Sequence, residues 1–453
     1  MSTIAAISTP NAVGGLAVIR ISGENAVAVA EKIFRPHGGK KVAEMRGYTC
    51  AYGIAHDDGE RIDDCILTVF RAPHSYTGED VCEVSCHGGL YVSKRILRAA
   101  LKNGAVSAEA GEFTKRAFLN GKLDLTQAEA VMDVISARGE AELRMAEQLR
   151  EGATFKKARA CSDRLLRILS GIAAWTDYPD EDIPEIEPTA IHAELTEIRA
   201  ELESLVHNYD SGRILREGVA TAIIGRPNVG KSTLFNCLSG CERSIVTDIA
   251  GTTRDVVEET VRLGDIVLRL SDTAGIHDTE DLIEGIGIDI AEKTAENAEL
   301  VIAVFDGNCP LSADDLYLIN KINNKKAIAV INKSDREQVI ETDVLKDRFV
   351  HIVYISAKNG EGIDELENAV KALFEINSDS FSVATASNER QKQCIDNAIR
   401  SLDEGISIIE SSEMYDALNV VLDDAEQSLL ELTGERITEA VVDEVFSHFC
   451  VGK

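Results

Sequence analysis

The octapeptide Gly225-Arg226-Pro227-Asn228-Val229-Gly230-Lys231-Ser232 constrains this chain more than any other segment. An apolar run, Val219–Ile224, precedes it and reads as a strand, and a helical pattern begins at Thr233. A Gly-rich turn between strand and helix lets backbone N–H groups converge on phosphate oxygens where a Cβ would stand in the way. In that frame Val229, Gly230 and Thr233 line the phosphates, Lys231 reaches their β and γ oxygens, and the Ser232 hydroxyl holds Mg²⁺.

Four further elements follow in order: Thr252-Thr253, Asp272-Thr273-Ala274-Gly275, Asn332-Lys333-Ser334-Asp335 and Ser356-Ala357-Lys358. The Asp335 carboxylate offers two acceptors, which match the N1–H and 2-amino donors of guanine. Adenine has no such donor pair, and a site built for those bonds rejects it strongly. Asn332 and Lys333 brace the loop and cover the base, and the 356–358 backbone meets the guanine oxygen. Asp272 closes an apolar strand as a carboxylate for magnesium, and the Gly275 N–H approaches the γ-phosphate. The expected ligand is GTP with Mg²⁺.

One position departs from the usual hydrolytic set. Ile276 follows the Asp-x-x-Gly element, where a water-orienting Gln often stands. Either hydrolysis is slow or another group places the water. Glu284 is the candidate, and its alternative is a solvated carboxylate at a helix start. Arg254 is either an arginine finger or a surface residue. Asn228 suggests another source of positive charge. Its side chain, with carbonyls from the segment Thr247, Asp248, Ile249, Ala250, Gly251 and Thr252, suits a monovalent cation beside the phosphates. The simpler reading is that Asn228 stabilises the turn.

The chain has 453 residues, enough for two to four domains, and no apolar stretch approaches the ~20 residues of a membrane span. Its start lacks a basic n-region, so no secretory signal is expected. Ten cysteines form no C-x-x-C pair, which fits a reducing cytoplasm. Cys82, Cys86 and His87 invite a metal reading, but a zinc site needs more ligands, and structural thiols are the expectation. The net charge of −30 argues against broad affinity for nucleic acid. Residues 1–122 nevertheless hold 15 Lys and Arg against 13 Asp and Glu, so bound RNA would use a local basic surface or a partner.

The fold class expected is α/β plus all-α. Residues 1–118 read as a mixed α/β domain with a hairpin turning at 56–59. Residues 119–217 are helical, with an acidic, proline-bearing break at 177–184. Residues 218–377 form a doubly wound GTPase domain with strands near 219–224, 266–271, 300–305, 327–331 and 350–355. Residues 378–453 return to helix, so the GTPase domain is inserted in a helical region. A terminal C-a-a-X reading of Cys450 is formally possible, but Lys453 is not a usual final residue, and a functional thiol or a docked core residue is the expectation.

Several motifs together resemble the tRNA modification GTPase MnmE (TrmE) family. They are the phosphate loop, Asp248-Ile-Ala-Gly-Thr-Thr-Arg-Asp255, Ile19-Arg-Ile-Ser-Gly23, Tyr76-Thr-Gly-Glu-Asp80, His87-Gly-Gly89, residues 111–120 and the terminal Phe449-Cys-Val-Gly-Lys453. The resemblance spans the chain, and its first and last motifs are the specific ones.

The resemblance implies a cytoplasmic homodimer whose N-terminal domain binds a tetrahydrofolate one-carbon donor, 5-formyl- or 5,10-methylene-tetrahydrofolate. An FAD-containing partner, MnmG (GidA), joins it, FAD residing only in that partner. Together they add an aminomethyl-type group at C5 of the wobble uridine of tRNA. It maps Arg20, Glu83, Lys122 and Lys453 to folate contacts; without it Arg20 and Lys122 would read as surface charges. It also implies potassium held by Asn228, Thr247, Ile249 and Thr252, and magnesium by Ser232 and Thr253. Catalytic roles fall to Lys231, Asp272 and Glu284, and to Cys450 with its chemistry left open.

The turn at 10–15, His277 and Gly285 depart from relatives, which touches details of the folate pocket and the switch. The competing reading is a ribosome-assembly or RNA-binding GTPase switch without modification chemistry. A basic module after the GTPase domain would favour it, whereas that segment here is acidic and helical.

Overall fold

The computed structural model describes residues 1–137, 139–177, 187–207, 209–240, 259–270, 298–322, 325–376, 385–411 and 415–453. The chain divides into two compact units. One comprises Met1–Ile135, Leu149–Glu203 and Gln393–Lys453, and the other Ser136–Gln148 and Ser204–Lys392.

The first unit opens with a seven-stranded sheet: β1 Ile4–Ile7, β2 Leu16–Ser22, β3 Phe34–Pro36, β4 Thr49–Asp57, β5 Glu60–Phe70, β6 Val81–His87 and β7 Val106–Ser107. Their order is β3-β4-β5-β6-β2-β1-β7. Alternation explains the packing: Ala17, Ile19 and Ile21 of β2 and Cys82, Val84 and Cys86 of β6 are buried in one apolar cluster. Helices α1 (Ala26–Ile33) and α2 (Leu90–Lys102) contribute Ala26, Val29, Ala30, Ile33, Ile96, Ala99 and Ala100 to that cluster. Burial pushes the Cys82 thiol up to about 12 and the Cys86 thiol up to about 11.

The hairpin is longer than its alternation suggested, because β5 begins at Glu60, with a register shift at Ala55/His56. Strands β3 and β7 are additions of two or three residues, too short to leave a periodic signal.

Helix α3 (Glu112–Leu119) and the helices Leu125–Ser136, Ala153–Asp177, Tyr415–Thr433 and Glu439–Ser447 complete the unit's main packing. Leu418, Leu422, Ala425, Leu429 and Leu432 recur at helical spacing and are all buried.

The second unit is built on a six-stranded sheet of order β13-β12-β11-β8-β10-β9. Its strands are β8 Val219–Ile224, β9 Glu259–Leu263, β10 Ile266–Leu270, β11 Leu300–Asp306, β12 Lys326–Asn332 and β13 His351–Tyr354. Parallel pairing of β8 with β10 and β11, of β11 with β12, and of β12 with β13 makes this the doubly wound arrangement expected. The near-continuous apolar runs of β11 and β12 belong to a sheet covered on both faces. Strand β9 pairs antiparallel with β10 through a turn at Gly264 (φ 60°) and was absent from the sequence reading.

Candidate functional site

The carboxyl ends of β8, β11 and β12 converge on one edge of the second sheet, where doubly wound folds bind ligands. The phosphate loop leaves β8 and enters the helix Lys231–Gly240. Its turn requires Gly225 at φ 153° and Gly230 at φ 100°. Lys231 Nζ donates to the carbonyls of Gly225 (2.7 Å) and Arg226 (3.1 Å), so the ammonium lies across the loop. Burial pushes its pKa down, which an incoming polyphosphate would reverse. Ser232 and Thr233 are exposed in the first turn of the following helix.

Asn332 holds three segments together. Its Nδ2 donates to Val229 O (2.9 Å), and its Oδ1 accepts from the N–H groups of Lys333 (2.8 Å) and Ala357 (3.1 Å). The amide is 3% exposed, so each bond lies where water competes poorly. Ser356 Oγ donates to Asp335 Oδ1 (2.9 Å), which fixes the orientation of the carboxylate. Lys358 follows in the turn closed by Gly360 N to Ser356 O (2.8 Å). Lys333 Nζ reaches Asn228 O at 3.1 Å, and both residues hold the left-handed φ of 65°. The Asn228 side chain is exposed at the loop crest.

The structure therefore brings Asn228–Thr233, Asn332, Lys333, Asp335 and Ser356–Lys358 into one site. Thr247, Asp248, Ile249, Ala250, Gly251, Thr252, Thr253, Arg254, Asp272, Thr273, Ala274, Gly275, Ile276, His277, Glu284 and Gly285 lie outside the described residues.

Two partners of this site were missed by sequence reasoning. Asp306 ends β11 with Oδ2 at 2.6 Å from Lys333 Nζ, and Arg226 Nε lies 3.3 Å from Asp315 Oδ2. The available signal was an acid at the end of an apolar strand, 26 residues before Asn332.

The first unit assembles a second constellation. Arg20 and Glu83 stand opposite each other across β2 and β6, with Nε and Oε1 2.8 Å apart. The Arg20 guanidinium lies 5.5 Å from the Tyr76 ring centre and 5.6 Å from that of Phe113. Tyr76 OH meets Thr114 Oγ1 at 2.8 Å, and burial pushes the phenol pKa up.

Residues 450–453 dock against Arg20 of β2, the end of β1 and the start of α3. Phe113 N donates to Lys453 O (3.1 Å), Ser8 Oγ to Gly452 O (3.0 Å) and Arg20 Nη1 to Gly452 O (3.4 Å). Cys450 is exposed, its carbonyl accepting from Gly111 N (3.4 Å). Lys122 Nζ donates to Pro73 O (3.1 Å). Arg20, Glu83 and Lys453 are thus neighbours through the docked segment, and Lys122 reaches the 71–80 loop that carries Tyr76 by its bond to Pro73 O.

That loop is fixed by Arg116, a buried cation also missed in the sequence. Its Nη1 donates to both Glu79 oxygens (3.1 and 3.2 Å), and its Nη2 to Glu112 Oε1 (2.8 Å). Glu79 also accepts from Ser22 Oγ (2.7 Å). A buried guanidinium is tolerable only with such multiple acceptors.

A phosphate loop at the end of a parallel strand, locked to an Asn-Lys-x-Asp loop, defines a P-loop guanine-nucleotide-binding protein. Residues 3–122 match the family described as GTP-binding protein TrmE N-terminus, and residues 125–450 match the MnmE helical domain. Proteins named tRNA modification GTPase MnmE are similar over the whole chain. That of Clostridioides difficile is 41% identical over 457 residues, covering 100% of this chain and 99% of the relative. That of Acetivibrio thermocellus is 42% identical over 460 residues, with the same coverage of each. That of Carboxydothermus hydrogenoformans is 40% identical over 457 residues, again with 100% and 99% covered. The chain belongs to the tRNA modification GTPase MnmE family. Among the described residues no helix is long and apolar enough to cross a membrane.

Proposed function

We propose that this protein hydrolyses GTP as a subunit of a complex that modifies C5 of the tRNA wobble uridine with a tetrahydrofolate-borne carbon. The observation that carries the reading is the coexistence of two sites in one chain. One is the guanine-nucleotide constellation; the other is the Arg20–Glu83 pair beside the docked 450–453 segment. A bare GTPase switch has no use for the second.

Glu83 has the acceptors that pterin N–H groups require, and Arg20, Lys122 and Lys453 suit the carboxylates of the glutamate tail. The tetrahydrofolate derivative supplies the one-carbon unit when bound; the chain's own part is to orient it. Cys450, exposed in the docked segment, is the catalytic cysteine candidate there, its chemistry left open.

In the nucleotide site Lys231 neutralises phosphate charge, Ser232 with Thr253 holds Mg²⁺, and Asp272 supports the ion. Asn228, with Thr247, Ile249 and Thr252, is the proposed potassium shell, and Glu284 the water-positioning acid. The exposed Asn228 side chain fits a cation ligand, because among the described residues it has no hydrogen bond, whereas the main-chain carbonyl is committed to Lys333. Hydrolysis would drive rearrangement of the GTPase domain within a cytoplasmic homodimer joined by the FAD-dependent MnmG (GidA).

A tRNA partner finds cations on α2. Arg95 and Lys102 are paired with Glu60, Asp57 and Asp58, whereas Lys94 and Arg98 are exposed without a carboxylate among the described residues. Tyr91, 71% exposed, continues the ridge.

Two titrations test the reading. Wild type is expected to bind 5-formyl-tetrahydrofolate and Glu83→Ala to lose it; no binding by wild type removes the folate assignment. GTP turnover is expected to rise in KCl over NaCl and to lose that gain in Asn228→Ala. Equal rates in both salts remove the potassium assignment alone.

A further inference from the structure

We propose that Asp306 is a positioning residue for the guanine nucleotide, holding Lys333 so that the base-reading loop and the phosphate loop act as one body. Asp306 lies outside every nucleotide motif. It is the last residue of β11 and stands in register with Asn332, the last residue of β12, so both side chains leave the sheet at the same edge.

Its two oxygens are committed. Oδ1 accepts from Asn308 N (3.0 Å), which fixes the carboxylate, and Oδ2 meets Lys333 Nζ (2.6 Å). The same ammonium donates to Asn228 O (3.1 Å). One cation therefore bridges a strand end and the crest of the phosphate loop, while its aliphatic stem remains available to cover the base.

The backbone explains why a bridge is needed. Asn228 and Lys333 both sit at φ 65°, a conformation that side-chain-bearing residues hold only when their surroundings impose it. A single ammonium between them couples the two strained positions, and its anionic anchor is Asp306.

The loop is also held two residues earlier. Arg226 Nε lies 3.3 Å from Asp315 Oδ2. Asp315 is 2% exposed and forms a capping box with Ser312 at the start of the helix Ala313–Lys321. Burial alone would raise the Asp306 pKa; the Lys333 ammonium, the Asn308 N–H and the Arg226 charge overrule it and hold it below the usual carboxylate range. Asp306 is thus ionised wherever the protein is folded near neutrality.

Asp306→Asn keeps the shape and removes the anchor charge. The inference rests on GTP binding and on neither the folate nor the potassium reading. Its test is dissociation of a fluorescent GDP analogue from the full chain, in wild-type and Lys333→Met backgrounds. Loss of one charge-assisted hydrogen bond predicts release faster by about tenfold to a hundredfold in the wild-type background. In the Lys333→Met background the same substitution is expected to change release by less than about twofold, since there is no ammonium left to hold. An equal effect in both backgrounds would mean that Asp306 only supports the fold and would overturn the proposal. So would an unchanged rate in Asp306→Asn alone.

Discussion

Gly230 and Asn332 approach so closely that a Cβ on the glycine would lie 2.2 Å from the asparagine Nδ2. The phosphate loop and the 332–335 loop meet through the Gly230 backbone and the Asn332 side-chain amide. Gly230 also holds φ 100°. Gly230→Ala thus combines a clash with a disfavoured conformation and displaces the amide that ties Val229, Lys333 and Ala357. Guanine-nucleotide affinity is expected to fall by at least about a hundredfold, from a loss of 3 kcal/mol or so. Equilibrium titration with a fluorescent GDP analogue reads it directly.

Gly452 offers a parallel case in the other unit. It holds φ 96°, and a Cβ there would meet Ile7 O at 2.5 Å. Gly452→Ala is expected to lift residues 450–453 from β1 and α3, so that protection of the Phe113 amide, bonded to Lys453 O, is lost. Hydrogen exchange on that amide checks the outcome, and nucleotide binding should not change.

Glu426 gives a pH prediction. It is 2% exposed, bonds Ser162 Oγ at 2.7 Å through one oxygen and, among the described residues, has no hydrogen-bond partner on the other. Burial raises its pKa above the ordinary carboxylate value. The folded state then binds the proton more tightly than the unfolded chain, so stability falls as pH rises through the interval between the two pKa values. Glu426→Gln removes the ionisable group. The variant's melting temperature relative to wild type should be higher at pH 8 than at pH 5. Any constant cost of the new amide cancels in that difference, and a pH-independent offset would refute the argument.

Lys94 and Arg98 of α2, without a carboxylate among the described residues, predict a salt dependence. Each phosphate neutralised contributes roughly 0.7 to 0.9 to the slope of log affinity against log salt. Lys94→Ala with Arg98→Ala should flatten the slope for tRNA by about 1.5 and leave GTP turnover unaltered. An unchanged slope would move tRNA docking to another surface or to the partner.

Legibility in the sequence followed the range over which each signal acts. Strands β11 and β12 were visible because parallel strands buried on both faces read as unbroken apolar runs. The phosphate loop and Asn332–Asp335 were visible because their chemistry is carried by adjacent residues. Strand β9 was not, since Glu259–Leu263 alternates over only five residues and its pairing is set by the turn at Gly264. Asp306 and Arg116 escaped for a different reason. An acid and a base look like solvated charges until register sets one beside Lys333 and folding sets the other beside Glu79 and Glu112. The Arg20–Glu83 pair likewise depends on cross-strand register, and only the motif resemblance drew attention to it.

The hydrogen bond from Ser8 to Gly452 spans 444 positions of the chain. On the ribosome, β1 and β2 emerge long before the segment that docks on them, and loop closure over such a distance comes late. A messenger broken or a chain stopped short of residue 452 would yield a protein with its phosphate loop whole and its Arg20 neighbourhood unfinished. Such a fragment would keep its nucleotide loops and lack the acceptor that Gly452 O offers to Ser8 Oγ and Arg20 Nη1.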